Sequence, residues 1–296
     1  MPTPQVGHFR DQAGRGRFLD AYRRCLAALP PVAETIDVPT SFGTVRVYRF
    51  DGAGGRPVLL LAGRNACTPM WAENLPGLLR HRSVYTVDLL GEPGLSVQQR
   101  PIAGSEDQAQ WFGEMLAGLG LDAPHLMGVS FGGWTATNVA IRRPGKVASL
   151  TLLDPAVTFA PIAVRMVLAS IPLAVPVTPD RYRRWVLRWI AGGAAVDESD
   201  PVAALIDSGT SDFVLSQPLP ERFTDDQLRR LDLPVLVVLA GRSVIHDARR
   251  AAVAARKLLP QGRVELWQDA SHAISGEDPE EIAAVAGAFW SEFSSD

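Results

Sequence analysis

The segment Gly128-Val-Ser130-Phe-Gly132 places a serine midway between two glycines. An apolar run, His125 to Val129, precedes the serine, and a helix-like stretch, Gly132 to Arg142, follows it. A sharp turn from a strand into a helix lifts a serine hydroxyl out of the sheet edge, and small neighbours let the surrounding backbone pass. The N-terminus of the following helix favours negative charge that develops beside the hydroxyl. Ser130 is therefore the candidate nucleophile.

A serine hydroxyl is a weak nucleophile until a base removes its proton, and the chain offers five histidines for that role. His272, in Asp269-Ala-Ser-His272, follows the last predicted strand on a short loop before the final helix. Parallel strands bring their carboxyl ends to one edge of a sheet, so we expect His272 to meet Ser130 there. His272 is therefore the predicted general base. The other histidines are His8 near the N-terminus, His81 in a polar loop, His125 at the far end of the strand that leads to Ser130, and His246 in a loop after another strand.

The elements that position these residues alternate between apolar runs and helix-like stretches. Continuous apolar runs are typical of strands that helices cover on both faces, so the pattern predicts an α/β protein with a mostly parallel central sheet flanked by helices. The runs are Val58 to Leu61, Val84 to Val87, His125 to Val129, Leu150 to Leu153, Val235 to Leu239 and Val264 to Trp267. The helix-like stretches are Met70 to Leu79, Glu106 to Leu119, Gly132 to Arg142, Ala248 to Leu259 and Pro279 to Phe293.

This alternation predicts three parts of the chain. Residues 1–34 form an N-terminal helical segment, with a helix over Arg17 to Leu29 that ends before two prolines. Residues 35–154 and 231–296 form the core, and residues 155–230, where the alternation stops, form a helical cap inserted after the sixth strand. A cap over the catalytic edge predicts an apolar pocket and a small, uncharged, hydrophobic substrate. Its apolar side chains are Phe159, Ile162, Met166, Leu168, Ile171, Leu173, Trp185, Trp189 and Ile190.

Composition narrows the class of protein. The 296 residues are 47% hydrophobic and 21% charged, which is ordinary for a globular protein, and the net charge is −3. Basic and acidic residues are mixed along the chain, so neither nucleic acid nor anionic lipid is the expected partner. No metal-ligand spacing, phosphate loop or dinucleotide fingerprint occurs, so we expect no metal and no cofactor.

Two separate cysteines, Cys25 and Cys67, argue against a secreted fold built on disulfides. The longest apolar region is interrupted by Arg165, Pro172 and Pro176, so we expect no membrane span. With no apolar signal stretch at the N-terminus either, the chain is expected to be cytoplasmic. The sequence gives no indication of the oligomeric state.

From Val45 onward the sequence resembles the α/β-hydrolase fold family, in particular its bacterial carboxylesterase-like members. The features that carry the resemblance are Val58-Leu-Leu-Leu-Ala-Gly63, Val87-Asp88-Leu-Leu-Gly91, Gly128-Val-Ser-Phe-Gly132, Leu152-Leu-Asp-Pro155 and Asp269-Ala-Ser-His272. The resemblance implies an oxyanion hole built from the backbone N–H groups of Phe131 and Arg64. Where the family commonly has His-Gly after the third strand, this chain has Gly63-Arg64, and a hole made of backbone amides does not require that histidine.

The acid of a serine–histidine–acid triad has two candidates. The family usually places it shortly after the seventh strand, where this chain has Ser243, and the nearest carboxylate, Asp247, comes later. Some members take it from the end of the sixth strand, where this chain has Asp154. Asp247 also suits the N-cap of the helix that follows it. We favour Asp154, with Asp247 as the alternative.

The function expected from these residues is hydrolysis of a hydrophobic ester through an acyl-serine intermediate. A serine rather than an aspartate at the turn argues against dehalogenase or epoxide hydrolase chemistry, which the same fold supports. Two alternatives remain open at this point. One is acyl transfer or a tailoring step in biosynthesis, with an alcohol or amine in place of water. The other is a catalytically silent ligand-binding protein.

Overall fold

The central sheet of this computed structural model contains eight main strands, and the structure describes residues 5–172, 178–193 and 201–293. The strands are β1 (Glu34–Thr40), β2 (Gly43–Phe50), β3 (Val58–Leu61), β4 (Val84–Val87), β5 (His125–Val129), β6 (Ser149–Leu153), β7 (Val235–Ala240) and β8 (Gly262–Trp267). Their order across the sheet is β8-β7-β6-β5-β3-β4-β2-β1, and a two-residue strand, Val97–Gln98, pairs with β2. β2 is antiparallel to both β1 and β4, while β3 to β8 pair in parallel. The predicted α/β fold with a mostly parallel sheet is confirmed.

Eleven α-helices lie in the described part of the chain. They are α1 (Gln12–Ala27), α2 (Leu75–Leu79), α3 (Ser105–Gly118), α4 (Phe131–Arg142), α5 (Val164–Ser170), α6 (Asp180–Ile190), α7 (Pro201–Asp212), α8 (Asp225–Arg229), α9 (Ala248–Leu258), α10 (Ile274–Glu277) and α11 (Pro279–Glu292). None of the helices described is both long and apolar enough to cross a membrane.

Helices cover both faces of the sheet and enclose two hydrophobic cores. On one face, α3, α4 and α9 contribute Trp111, Phe112 and other buried residues to the first core. On the other face, α1, α2 and α11 contribute side chains such as Phe289 and Trp290 to the second core. Because both faces are covered, every residue of β3, β5, β6 and β7 is buried, as the continuous apolar runs require.

Two predicted helices differ from the observed ones. The first helix begins at Gln12 rather than Arg17, because the side chain of Asp11 accepts a hydrogen bond from Gly14 N at 2.7 Å and caps the helix. The helix predicted over Met70 to Leu79 is wrong. A 3₁₀ turn, Thr68–Trp71, comes first, and α2 begins only at Leu75 with a proline in its first turn, where that residue is tolerated.

The segment predicted as a cap, residues 155–230, contains α5 to α8 within its described part. Its ends pack into the first core through Phe159, Phe223 and Leu228. The N-terminal segment reaches it as well, because α1 packs against α7 and Arg17 forms an ion pair with Asp212. The division into three parts stays a prediction. Leu173, predicted to belong to the apolar cap, lies outside the described residues.

Candidate active site

Ser130 lies in a tight turn between β5 and α4. Its backbone has φ 54° and ψ −115°, a positive φ that a side chain tolerates only when the surroundings hold it in place. Ser130 N donates to Leu153 O at 3.0 Å, which ties the turn to the end of β6. A Cβ on Gly128 would lie 2.4 Å from the carbonyl carbon of Gly132, so this close approach requires glycine. The turn therefore presents the serine hydroxyl at the carboxyl edge of the sheet.

The structure brings Ser130, His272 and Asp154 together. Nε2 of His272 lies 2.9 Å from Oγ of Ser130, and Nδ1 of His272 lies 2.5 Å from Oδ2 of Asp154. A proton on Nδ1, donated to the carboxylate, leaves Nε2 as the acceptor for the serine hydroxyl. This is the tautomer that a base acting on Ser130 requires.

Asp154 has further polar neighbours in addition to His272. Its Oδ1 accepts from Ala240 N at 3.1 Å, and its Oδ2 accepts from Ser243 Oγ at 2.7 Å. Nε2 of His246 lies 3.1 Å from Oδ1. Burial would raise the pKa of the Asp154 carboxyl, but the contacts with His246 and His272 outweigh it and hold this pKa well below its usual range. Asp154 is therefore an anion, although it is fully buried.

Asp247, the alternative acid, does not contact His272. Its side chain accepts a hydrogen bond from Arg250 N at 3.0 Å and forms the N-cap of α9. The sequence offered two carboxylates for one position, and the geometry places Asp154 beside the imidazole and Asp247 at a helix end.

The two residues proposed for the oxyanion hole lie next to the nucleophile. Phe131 follows Ser130 directly, and a Cβ on Gly63 would lie 3.6 Å from Cβ of Ser130, which places the start of the Arg64 peptide beside it. Within the described residues, neither the Phe131 amide nor the Arg64 amide donates a hydrogen bond. The Arg64 guanidinium lies over the Phe131 ring, 4.3 Å from its centre. Both amides can therefore serve an oxyanion that forms at Ser130.

Glu92 holds the loop that carries Arg64, a role that the sequence analysis missed. Oε2 of Glu92 accepts from Asn65 N at 2.8 Å, and Asn65 has a positive φ of 60°. Nη1 of Arg64 lies 3.7 Å from Oε1 of the same carboxylate. Burial raises the pKa of Glu92, and Arg64, Asn65 and Gln217 counteract it. An isolated glutamate in a loop gives no sequence signal for such a contact. Ser243 and His246 were missed as partners of Asp154 as well, because no sequence pattern indicates that these loop residues contact it.

A cleft opens beside the nucleophile turn. Its lining includes Ile102, Gln108, Phe131, Trp134, Gln217 and Leu219. The rings of Phe131 and Trp134 stack at 5.6 Å, and Trp134 stacks on Phe223 at the same distance. Phe131, which follows Ser130 in sequence, and Trp134 therefore form an aromatic wall of this cleft, whose lining also includes Gln108 and Gln217.

Comparisons with known proteins show which proteins this chain is similar to. A model of the α/β-hydrolase fold family matches residues 56–200. An uncharacterized carboxylesterase, nap, of Bacillus subtilis (strain 168) is 25% identical over 265 residues, which cover 89% of this chain and 88% of that protein. Carboxylesterase YbfK of the same organism is 26% identical over 275 residues, or 90% of each chain. The crystal structure of naproxen esterase (carboxylesterase NP) from Bacillus subtilis superposes with a TM-score of 0.87 at 24% identity, covering 95% of this chain and 99% of that one.

Proposed function

This chain belongs to the α/β-hydrolase fold family, and we propose that it is a carboxylic ester hydrolase that forms an acyl-serine intermediate on Ser130. One observation carries the proposal: an unbroken chain of contacts runs from the Ser130 hydroxyl through His272 to the buried Asp154. The carboxylesterases that match most of this chain support the same reaction class.

The first half of the proposed reaction acylates the enzyme. His272 Nε2 accepts the proton of Ser130 Oγ as the oxygen attacks the ester carbonyl carbon. The carbonyl oxygen becomes an oxyanion, and the amides of Phe131 and Arg64 donate hydrogen bonds to it. The bond to the alkoxy group then breaks, His272 returns the proton to that oxygen, and the alcohol leaves.

The second half repeats these steps with water. His272 accepts a proton from the attacking water, the oxyanion forms again at the two amides, and the carboxylic acid leaves as Ser130 recovers its proton. Asp154 fixes the orientation of the imidazole and stabilises the imidazolium during both halves. Asp154 remains ionised and takes up no proton in either half.

We propose that the protein acts in the cytoplasm and that its substrate is a small, uncharged, hydrophobic ester. The aromatic wall formed by Phe131 and Trp134 supports an apolar acyl or alkoxy group beside the nucleophile. The cytoplasmic assignment is supported by two well-separated cysteines in a chain of 296 residues.

A serine-directed label and a chromogenic ester test this function. We expect a fluorophosphonate to add one covalent group to the protein, detected by intact mass, and to add none to Ser130→Ala. A short-chain p-nitrophenyl ester should release a burst of nitrophenol, followed by steady turnover.

Each outcome decides between the candidate functions. The absence of both label and burst would contradict any catalytic role and favour a silent ligand-binding protein. Labelling with product formed only when an alcohol is added would identify acyl transfer instead of hydrolysis. Steady release of the acid with water alone supports the esterase.

A further inference from the structure

Helix α5 turns its apolar stripe toward solvent. Val164, Val167, Leu168 and Ile171 follow the spacing of one helical face, and each is between 49% and 74% exposed. The opposite side contributes the small, buried Ala169 to the packing. A helix of a globular protein normally buries such a stripe, so a contiguous apolar face of this kind indicates an interaction site.

The neighbouring helix α6 carries a cluster of exposed arginines. Arg181, Arg184 and Arg188 are exposed, and within the described residues none of them pairs with a carboxylate. Half-exposed Trp185 lies among them and stacks on Trp189 with ring centres 5.8 Å apart. Residues 161–193 contain five arginines and one aspartate in a chain whose net charge is −3. Charges of both signs are mixed along the whole sequence, but residues 161–193 form a locally basic region.

We propose that the exposed residues of α5 and α6, which we call the cap face, dock onto an anionic lipid–water interface. The apolar stripe of α5 would enter the boundary of the acyl chains, Trp185 would lie at the level of the headgroups, and the arginines of α6 would contact lipid phosphates. A second copy of this chain fits less well, because a symmetric contact would bring the same arginines of both copies together.

The cap face is joined to the loops of the candidate active site. Nη2 of Arg165 donates to Ser243 O at 3.1 Å, and Ala163 N donates to Ile245 O at 2.7 Å. At the end of α6, Nη2 of Arg242 donates to Gly192 O at 2.8 Å. Docking would therefore hold the catalytic edge close to esters dissolved in lipid. This last consequence rests on the proposed function, whereas docking itself does not.

Co-sedimentation of the full chain with vesicles tests the docking. Phosphatidylcholine vesicles that contain phosphatidylglycerol should bind the protein, pure phosphatidylcholine vesicles should bind it at least tenfold less, and added salt should weaken the binding. Arg181→Glu/Arg188→Glu should reduce the partition coefficient by more than tenfold, since each cationic side chain contributes about fivefold. Leu168→Ser should reduce it about fivefold to tenfold through lost apolar burial.

The matched control is Val253→Ser on α9, which removes a valine that is 64% exposed outside the cap face. It should bind vesicles as the wild type does. Binding that is equal on neutral and anionic vesicles, or no binding to either, would overturn the proposal. The proposal would also be overturned if the protein formed a dimer without binding vesicles and Leu168→Ser abolished that dimer. A second copy of the chain would then cover the cap face.

Vesicle binding by Ser130→Ala separates the two proposals. This variant should sediment with anionic vesicles like the wild type even though it is not labelled. Failure of docking with normal fluorophosphonate labelling would reject the docking surface alone.

Discussion

At the scale of single residues, the site centres on one buried carboxylate. Asp154 is contacted by Ala240 N, Ser243 Oγ and two histidines, and its backbone has a positive φ of 40°. A buried anion is tolerated only when polar partners replace the water that it lost. The same partners hold the pKa of the Asp154 carboxyl well below its usual range, so the carboxylate stays ionised despite its burial.

Replacing the two candidate acids separates their roles. Asp154→Asn should lower kcat by roughly 10⁴-fold, because the amide no longer selects the tautomer with its acceptor toward Ser130. Asp247→Ala should leave kcat near the wild-type value but lower the free energy of unfolding by about 1 kcal/mol, since α9 loses its N-cap. Steady-state kinetics and urea denaturation measure the two effects. Equal losses of kcat in both variants would contradict the assignment of Asp154.

The position of Ser243 predicts that a carboxylate at residue 243 can replace the Asp154 carboxylate as the partner of His272. Ser243 Oγ lies 2.7 Å from the same Asp154 oxygen that accepts from His272, so a carboxylate at 243 can reach Nδ1 of the imidazole. The double variant Ser243→Asp/Asp154→Asn should therefore have a kcat at least about tenfold higher than that of Asp154→Asn. Ser243→Asp alone should lose activity, because two buried carboxylates repel each other.

The control for this exchange is Ser243→Asn/Asp154→Asn, which has the same shape without the charge. If it recovers as much kcat as the aspartate variant, the effect is steric and the relocated acid plays no part.

At the scale of elements, the contact between β3 and the start of α4 fixes the nucleophile turn. A Cβ on Gly132 would lie 2.1 Å from Leu61 O and 2.6 Å from Ala62 O, both of them backbone atoms that cannot rotate away. The first turn of α4 therefore approaches β3 more closely than any side chain permits. The same approach brings the Arg64 amide near Ser130, so one packing contact positions both the nucleophile and the proposed oxyanion hole.

Gly132→Ala should disturb this contact. We expect the free energy of unfolding to fall by more than about 2 kcal/mol and labelling of Ser130 to be lost, because the backbone must move to admit the methyl group. Gly16→Ala is the matched control, since a Cβ there meets nothing within 4 Å in α1 and alanine favours a helix by up to about 1 kcal/mol. Thermal melts and intact mass report both effects. Normal labelling in Gly132→Ala would refute the argument.

The elements were easier to predict from sequence than the contacts between them. The apolar runs located the strands that carry Ser130 and Asp154, because a strand buried on both faces must be apolar throughout. The turn at Ser130 followed from its glycines. The sequence favoured Asp154 but left Asp247 as an alternative, since both follow strands that end at the same edge. Only the path of the loop after β7 places Ser243 and His246 on Asp154, and no local pattern encodes that path.

At the scale of the whole molecule, the strand that carries the nucleophile turn holds a second histidine at its other end. His125 begins β5 and is fully buried. Its Nδ1 lies 2.8 Å from Ser149 Oγ, and its ring stacks on Trp290 of α11 at 5.9 Å. Burial, together with Arg82 and Arg56, lowers the pKa of His125 from 6.5 to about 4. This residue therefore couples the stability of the whole fold to pH at a point remote from catalysis.

The sign of this coupling follows from proton uptake. Between pH 6.5 and about 4, the unfolded chain protonates His125 while the folded protein keeps it neutral, so the unfolded state binds more protons. The free energy of unfolding should therefore fall as the pH falls through this window. At about 1.4 kcal/mol per pH unit, the contribution of His125 amounts to about 3 kcal/mol.

His125→Gln keeps a hydrogen-bonding group for Ser149 but cannot be protonated in this range, so its free energy of unfolding should lose that part of the pH dependence. Urea denaturation at several pH values between 4 and 7 measures it for the wild type and the variant. His8→Gln removes an exposed histidine and should keep the wild-type slope. The same slope of unfolding free energy against pH in His125→Gln and the wild type would contradict this prediction. The folded protein would then protonate His125 as readily as the unfolded chain does.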